Sequence, residues 1–285
     1  MKNLSDERAA FLVERNLVSR ELISNRRISA ALILRDESMS VMINEEDHIR
    51  AQYFIRGFDL GKAFERISGI DDAISESIPF AYDDMFGYLT ACPTNLGTGL
   101  RASVMCFLPA VSRRGLMRRI SPELTRLGLT VRGAFGEGSG AEGDLFQISN
   151  EVTLGQSEGD ILSVVERAVS TVVEFELRER DRMKAEEGLA LKDKIMRSYG
   201  VLTNACKMDL REFSARISDV KLGVALGYFK DEEDDDRMRE LDDLFVEMRP
   251  ANINRLNGAP LCKEEQDEYR AEYACIKIRK MQLKA

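Results

Sequence analysis

SAALILRDESMSVMIN, residues 29–44, decides the fold class. It holds two apolar runs, 29–35 and 38–44, separated by the polar pair Asp36-Glu37. Short apolar runs bounded by a turn signal read as strands, and so short a polar connection predicts a hairpin. Outward from it, 59–78 is amphipathic and predicts a helix, 86–92 and 100–108 predict strands, and 112–127 a further helix. Strands are expected at 128–135 and 144–149. Towards the N-terminus, Ser5 followed by Asp6 and Glu7 marks a helix start, with acidic side chains at the positive end of the helix dipole. Leu12, Val13 and Leu17 give that helix its apolar stripe. Helices mixed with hairpin-linked strands fit an α+β fold, an antiparallel sheet flanked by helices, better than a regular βαβ alternation.

From Ser157 the character changes. Ser157 and Asp160 resemble a capping box, and Ile161, Val164, Val165, Ala168 and Val172 follow at helical spacing. The Arg-, Lys- and Glu-rich stretch 176–198 continues the same helix, and everything after it reads as short helices. A boundary is expected near residue 180, with 1–180 as one lobe and 181–285 as a helical C-terminal domain.

Bulk properties narrow the function classes. With 44% apolar and 32% charged residues among 285, the composition is that of an ordinary globular protein. No run approaches the roughly 18–20 apolar residues that a membrane span needs. Residues 1–20 are charged throughout, unlike a secretory signal, so a cytoplasmic location is expected and no membrane partner. The five cysteines (Cys92, Cys106, Cys206, Cys262, Cys275) form no CxxC pair, which argues against structural zinc. With His48 as the single histidine, a His-based metal site or a Ser-His-Asp triad has almost nothing to work with. A net charge of −8 argues against a general nucleic-acid-binding surface. The acidic run Asp231 to Asp236 reads as a solvated helix N-terminus.

Three segments carry chemistry. Asn44-Glu45-Glu46-Asp47-His48-Ile49-Arg50 concentrates three carboxylates, the histidine and an arginine after an apolar strand; alone, it reads as a charged loop. CPTNLGTGLR, 92–101, ends a strand in a turn-rich stretch with a thiol; alone, it reads as a tight turn with a buried cysteine. RGAFGEGSGAEG, 132–143, is a glycine loop that suits either a lid or a long hairpin connection. Together they could supply arginines for a polyphosphate, carboxylates for a cation and a closing loop. Arg50, Arg101 and Arg132 each follow or end an expected strand, and guanidinium groups match phosphate oxygens through bidentate bonds. The chain has no GxxxxGK(S/T) loop and no HRD or DFG set, so any ATP site would be an arginine cage.

NEEDHIR at 44–50, CPTNLGTGLRASV at 92–104 and the Arg132 loop leading into Ser149-Asn150 resemble, in order and spacing, the signature segments of the guanidino-kinase family. Arg197-Ser198-Tyr199-Gly200-Val201-Leu202 and Ser218-Asp219-Val220-Lys221-Leu222-Gly223 resemble the helical C-terminal region of its bacterial protein arginine kinase branch. The resemblance implies a catalytic lobe that phosphorylates protein arginines with ATP and phosphate-bound Mg²⁺, marking proteins for Clp-type proteolysis. It also implies Clp chaperone or adaptor partners and a homodimer formed through the helical domain. Glu46 would hold the substrate guanidinium as catalytic base, Glu137 would be the second gripping carboxylate, and Cys92 would polarise the substrate as a thiolate. Arg50, Arg101 and Arg132 would hold the nucleotide phosphates, with the backbone of Ala102, Ser103, Val104 and Met105 and of Gly133, Ala134, Phe135 and Gly136 beside them. A truncated protein-binding module and a small-molecule phosphagen kinase are the alternatives.

The chain also departs from the family. Nothing in 1–28 matches the SxRxRxxRN-like stretch of its members, and Asn16 stands where relatives have a nucleotide-contacting histidine. A true start upstream of Met1 is expected, the alternative being a natural short form of reduced activity. Near the C-terminus, Gln266 replaces the first arginine of the branch's RDxxRA motif while Asp267, Arg270 and Ala271 match. A neutral amide cannot replace a phosphate-pairing guanidinium, so phosphoarginine binding there is doubtful, and an ordinary charged helix is an equal reading.

Overall fold

The structure, a computed structural model, describes residues 1–133, 141–229, 234–281 and 283, with the backbone alone at 234 and 235. The hairpin forms as the sequence dictates: β1 (Ala30–Ile33) pairs antiparallel with β2 (Met39–Ile43), Ala30 opposite Ile43 and Ile33 opposite Ser40. A third strand, unforeseen in the sequence, is β3 (Ile49–Tyr53), antiparallel to β2 with Ile43 opposite Ile49. The turn between β2 and β3 is therefore residues 44–48, which places the acidic segment at one end of this sheet. Helix α1 (Asp6–Glu14) starts at Ser5, whose hydroxyl accepts the Arg8 N–H at 3.2 Å. A short helix, α2 (Arg20–Ser24), follows it, capped by Ser19. Helix α3 (Leu60–Ser75) is capped by Asp59 and lies against β3.

The strand expected at 86–92 shrinks to a two-residue rung. Here β4 (Tyr82–Asp83) pairs with β5 (Gly87–Tyr88), and a 3-10 turn, Pro93–Asn95, takes over after Cys92. A second sheet runs in the order β6 (Ser103–Phe107), β8 (Leu145–Asn150), β7 (Leu129–Gly133). The helix expected at 112–127 is two, α4 (Pro109–Arg113) and α5 (Met117–Arg126), broken at Gly115 with φ +66°.

Helix α6 (Glu158–Asn204) begins where expected, with the Ser157 hydroxyl accepting the Asp160 N–H at 3.2 Å. Its helical dihedrals fail at Gly188 (φ 48°, ψ −117°). The remaining helices are α7 (Leu210–Ala225), α8 (Asp234–Glu247), α9 (Pro250–Asn257) and α10 (Lys263–Lys280). No described helix is long and apolar enough to cross a membrane.

The chain forms two compact units. One comprises Met1–Met105, Arg119–Val131 and Gln147–Thr171; the other comprises Cys106–Arg118, Arg132–Phe146 and Val172–Ala285. In the first, Phe11, Leu12, Leu17, Leu22, Val41 and Met42 are buried. In the second, Leu191, Ile195 and Leu202 of α6 join Phe213, Ile217 and Val220 of α7 and Leu241, Leu244, Ile253 and Ile278 in one apolar core. The start of α4 lacks a side-chain cap of its own, and buried Glu176 of α6 supplies one. Its carboxylate accepts the Ala110 and Val111 N–H groups at 3.0 and 2.9 Å, and Arg180 neutralises it at 2.5 Å. A helix N-terminus buried without such an acceptor would leave donors unpaired.

Candidate active site

In the first unit, two of the sequence segments meet through Asp47. Its Oδ1 accepts the backbone N–H groups of Ala91 (2.6 Å) and Cys92 (3.3 Å), and its Oδ2 accepts the Asn95 side-chain amide (2.7 Å). One carboxylate thus fastens the 44–48 turn, which presents Glu46, to the turn that presents Cys92. Hydrogen bonds to an ionised acceptor are about twice as strong as neutral ones, so this is the firmest link between the segments. Glu46 itself is exposed, and its N–H donates to Glu45 Oε2 at 2.8 Å.

Glu45 is the buried member of the acidic run and pairs with Arg50, Oε1 to Nη1, at 2.9 Å. Burial alone would raise the Glu45 carboxyl. The Ser19 hydroxyl, the Glu46 N–H and the Arg50 guanidinium outweigh it and hold the pKa below the ordinary value. A guanidinium has five donors, so the pair orients Arg50 without using it up.

The Cys92 turn is fastened from its other side too. The Thr153 hydroxyl lies 3.0 Å from the Thr94 carbonyl and 2.7 Å from that of Leu96. Gly97 exchanges backbone hydrogen bonds with Tyr88 at 2.8 and 3.2 Å. At φ +106°, a Cβ on Gly97 would lie 2.6 Å from the Thr153 oxygen, so no other residue fits this close approach. The Cys92 Sγ and Thr94 Oγ1 are 3.0 Å apart, in hydrogen-bond contact.

Arg101 is exposed, and its Nη2 donates to Ser149 Oγ at 3.3 Å. Buried Asn150 holds Ala102, accepting its N–H at 2.8 Å through the side chain and donating its own N–H to the Ala102 carbonyl at 3.3 Å. Its amide also donates to the carbonyls of Leu100 (2.9 Å) and Val152 (3.1 Å). Ser103 and Val104 are half-buried on β6, where Met105 is exposed. In the second unit, Arg132 is exposed on β7, which Gly133 ends. Ala134, Phe135, Gly136 and Glu137 lie outside the described residues.

The structure therefore keeps Glu46, Cys92, Arg50 and Arg101 in one unit; sequence reasoning gave no role to Asp47, Asn150 or Thr153, which hold the backbone at Ala91 and Cys92, at Leu100 and Ala102, and at Thr94 and Leu96. Asp47 had a weak signal, as the third carboxylate of its run. Thr153 had none, because a threonine after a strand looks the same whether or not it holds a turn 57 or more residues away. Among the described residues, no group of three or more His, Cys, Asp and Glu side chains forms a metal-ligand set.

Comparison with known proteins adds what geometry does not. Residues 1–179 match the family described as ATP:guanido phosphotransferase, C-terminal catalytic domain, and residues 188–285 match that described as protein-arginine kinase McsB C-terminal domain. The protein-arginine kinase of Caldanaerobacter subterraneus subsp. tengcongensis is 40% identical over 280 residues, covering 98% of this chain and 82% of that protein. Among solved structures, a lombricine kinase is similar with a TM-score of 0.54 and 28% identity, over 62% of this chain and 52% of its own. A duplicated taurocyamine kinase from Schistosoma mansoni has a TM-score of 0.58 and 26% identity, over 75% of this chain and 31% of its own. The chain thus spans about half of the first structure and a third of the second.

Proposed function

The chain belongs to the ATP:guanido phosphotransferase family, and from that premise we propose that it transfers the γ-phosphoryl group of ATP to arginine side chains of proteins. The observation that carries the proposal is the Asp47 tie, which sets an exposed carboxylate, Glu46, and a thiol, Cys92, on two turns fastened to each other. Such a pair suits a planar guanidinium.

In this reading Glu46 orients the substrate and takes its Nη proton as that nitrogen attacks. The new bond is N–P, the bond broken is between Pγ and the β–γ bridging oxygen, and ADP leaves. Phosphoryl transfer of this kind relies on positioning and charge neutralisation. Cys92, as a thiolate accepting the Thr94 hydroxyl, polarises the guanidinium; Glu137 grips its other edge. Arg50, Arg101 and Arg132 hold the phosphates beside the backbone of Ala102 to Met105 and Gly133 to Gly136. Mg²⁺ enters on the nucleotide. Residues 1–180 form the catalytic lobe in this reading and 181–285 the helical domain. A cytoplasmic setting, a homodimer and delivery of products to Clp-type proteolysis complete it, supported by the resemblance of 197–202 and 218–223 to the bacterial branch.

The test is incorporation of acid-labile phosphate into arginine of a protein substrate, with free arginine assayed beside it. Glu46→Gln is expected to lower kcat by about 10²–10⁴, the usual contribution of a positioned general base. Transfer unaffected by that change would sink the assignment, and faster transfer to free arginine would favour a small-molecule kinase.

A further inference from the structure

The β4–β5 hairpin of the first unit leaves its apolar side chains in water. Tyr82, Met85, Phe86, Tyr88 and Leu89 are 59, 80, 45, 37 and 47% exposed. Single apolar side chains scattered over a surface are ordinary, whereas several gathered on one turn mark a place that something covers. The face they form is ordered. The Tyr88 ring meets those of Tyr82 and Phe80 edge-on, with centroids 5.3 and 6.0 Å apart. Asp83 fixes the turn, its Oδ1 accepting the Met85 and Phe86 N–H groups at 2.8 and 3.1 Å. A surface held in shape beforehand binds with less entropy to lose.

This hairpin is continuous with the Cys92 turn. The Leu89 N–H donates to the Ala81 carbonyl at 2.9 Å, and Tyr88 carries the ladder on to Gly97. Gly87, at φ +73°, approaches Gly97 so closely that a Cβ would lie 2.8 Å from its carbonyl oxygen. Leu89 precedes Cys92 by three residues, at most about 11 Å of chain. An extended peptide with its arginine at Cys92 has the residues two to four positions away within reach of the same face. The electrostatic setting is one-sided. From residue 67 to residue 100 the sequence has the carboxylates Asp71, Asp72, Glu76, Asp83 and Asp84, all exposed, and no Lys, Arg or His. Such a surround favours a chain that carries arginine. A second copy of the hairpin would bring like charges together, as a two-fold contact pairs a patch with itself.

We propose that the β4–β5 hairpin is the docking surface for the polypeptide around the target arginine, and that it selects arginines with an apolar or aromatic residue two to four positions away. Its side chains touch no reacting atom. They bind flanking residues equally in the ground and transition states, so they act on KM and leave kcat alone. This specificity rests on the reading that Glu46 and Cys92 receive the guanidinium.

The experiment uses the full chain, ATP and two peptides, each with one arginine, that carry either Leu or Ser two and three positions to each side of it. The Leu peptide is expected to have a kcat/KM about tenfold or more above that of the Ser peptide, the discrimination an apolar seat gives, with the difference in KM. Met85→Ser combined with Phe86→Ser should bring that ratio to within about threefold and leave kcat/KM for the Ser peptide within about twofold of the parent. Sedimentation velocity should show the same state of assembly for both proteins. A parent that treats the peptides alike overturns the docking surface even if the variant does not fold. So does a variant that keeps the parent's ratio or slows both peptides equally, and so does one that changes its assembly with the ratio intact, which assigns the hairpin to a second copy. In each of these cases arginine transfer itself stands. A parent that transfers nothing to either peptide or to an arginine-bearing protein overturns both readings.

Discussion

Replacing Asp47 by Asn tests whether the two turns of the site are held by one carboxylate. The substitution keeps an oxygen that can still accept the Ala91 and Cys92 N–H groups, but it places an NH₂ group opposite the Asn95 amide, which also donates. One hydrogen bond is lost outright and two become neutral. A hydrogen bond to a charged group contributes about 1.5–3 kcal/mol, so the turns lose roughly that much mutual hold. A displacement of about 1 Å at reacting groups can cost on the order of 10² in rate. The expected result is a fall in kcat of about 30- to 100-fold. The melting temperature should move little, because the loss falls on surface turns and local opening does not require global unfolding. A second readout is alkylation of Cys92, followed by mass spectrometry of its peptide because Cys206 and Cys262 are exposed and react as well. Its rate should change by several-fold as the turn is released. An Asp47→Asn protein with kcat within threefold of the parent and an unchanged Cys92 rate would refute the reasoning.

Glu45 has a folded-state pKa below its ordinary 4.5, so its contribution to stability is complete above 4.5 and is lost as pH falls through the lower, folded value. Glu45→Gln should therefore flatten the acid side of the stability–pH curve below about 4.5, measured by urea melts, and should leave the slope near neutrality alone. Gly97→Ala combines a left-handed φ with a Cβ at 2.6 Å from a backbone oxygen. It should destabilise the protein by about 2–4 kcal/mol in chemical denaturation, backbone strain plus overpacking, and activity should fall with it. Arg270 is 1% exposed and donates to the Met248 and Met208 carbonyls and to Asp267 at 2.7–2.9 Å. Arg270→Met should cost about 3–5 kcal/mol, as expected when one partner of a buried pair is removed; phosphoarginine should not protect the parent against thermal unfolding through this stretch.

The last case shows what the sequence left undecided. Asp267-Glu268-Tyr269-Arg270 reads equally as a ligand motif or as a charged helix face. The structure makes Arg270 a brace inside the helical core, with Gln266 donating to Asn254 and Leu261 at 3.1 and 3.2 Å. A guanidinium looks the same in sequence whether it faces solvent or the carbonyl ends of other helices. By contrast, the hairpin at 30–43, the Ser5 and Ser157 helix starts and the 60–75 helix were all legible. Each rests on neighbours within four residues or on a period of 2.0 or 3.6. Strand β3 escaped because IRAQY lacks a long apolar run and is held by register with β2. The helix expected at 112–127 broke because the left-handed Gly115 interrupts a pattern that periodicity alone carries through.

By itself, then, the sequence determined the α+β class, the order of elements and the chemical types gathered in NEEDHIR and CPTNLGTGLR. These follow from local backbone preference and side-chain chemistry. Tertiary structure decided which of three adjacent carboxylates does what: Glu45 buried against Arg50, Glu46 open, Asp47 spent on a turn 44 residues away. It also decided that the Glu142–Asp144 turn sits on helices 72 and 107 residues further along. The physical reason is common to both. A carboxylate's role is set by burial and by the donors that reach it, and those come from segments whose approach no local pattern encodes.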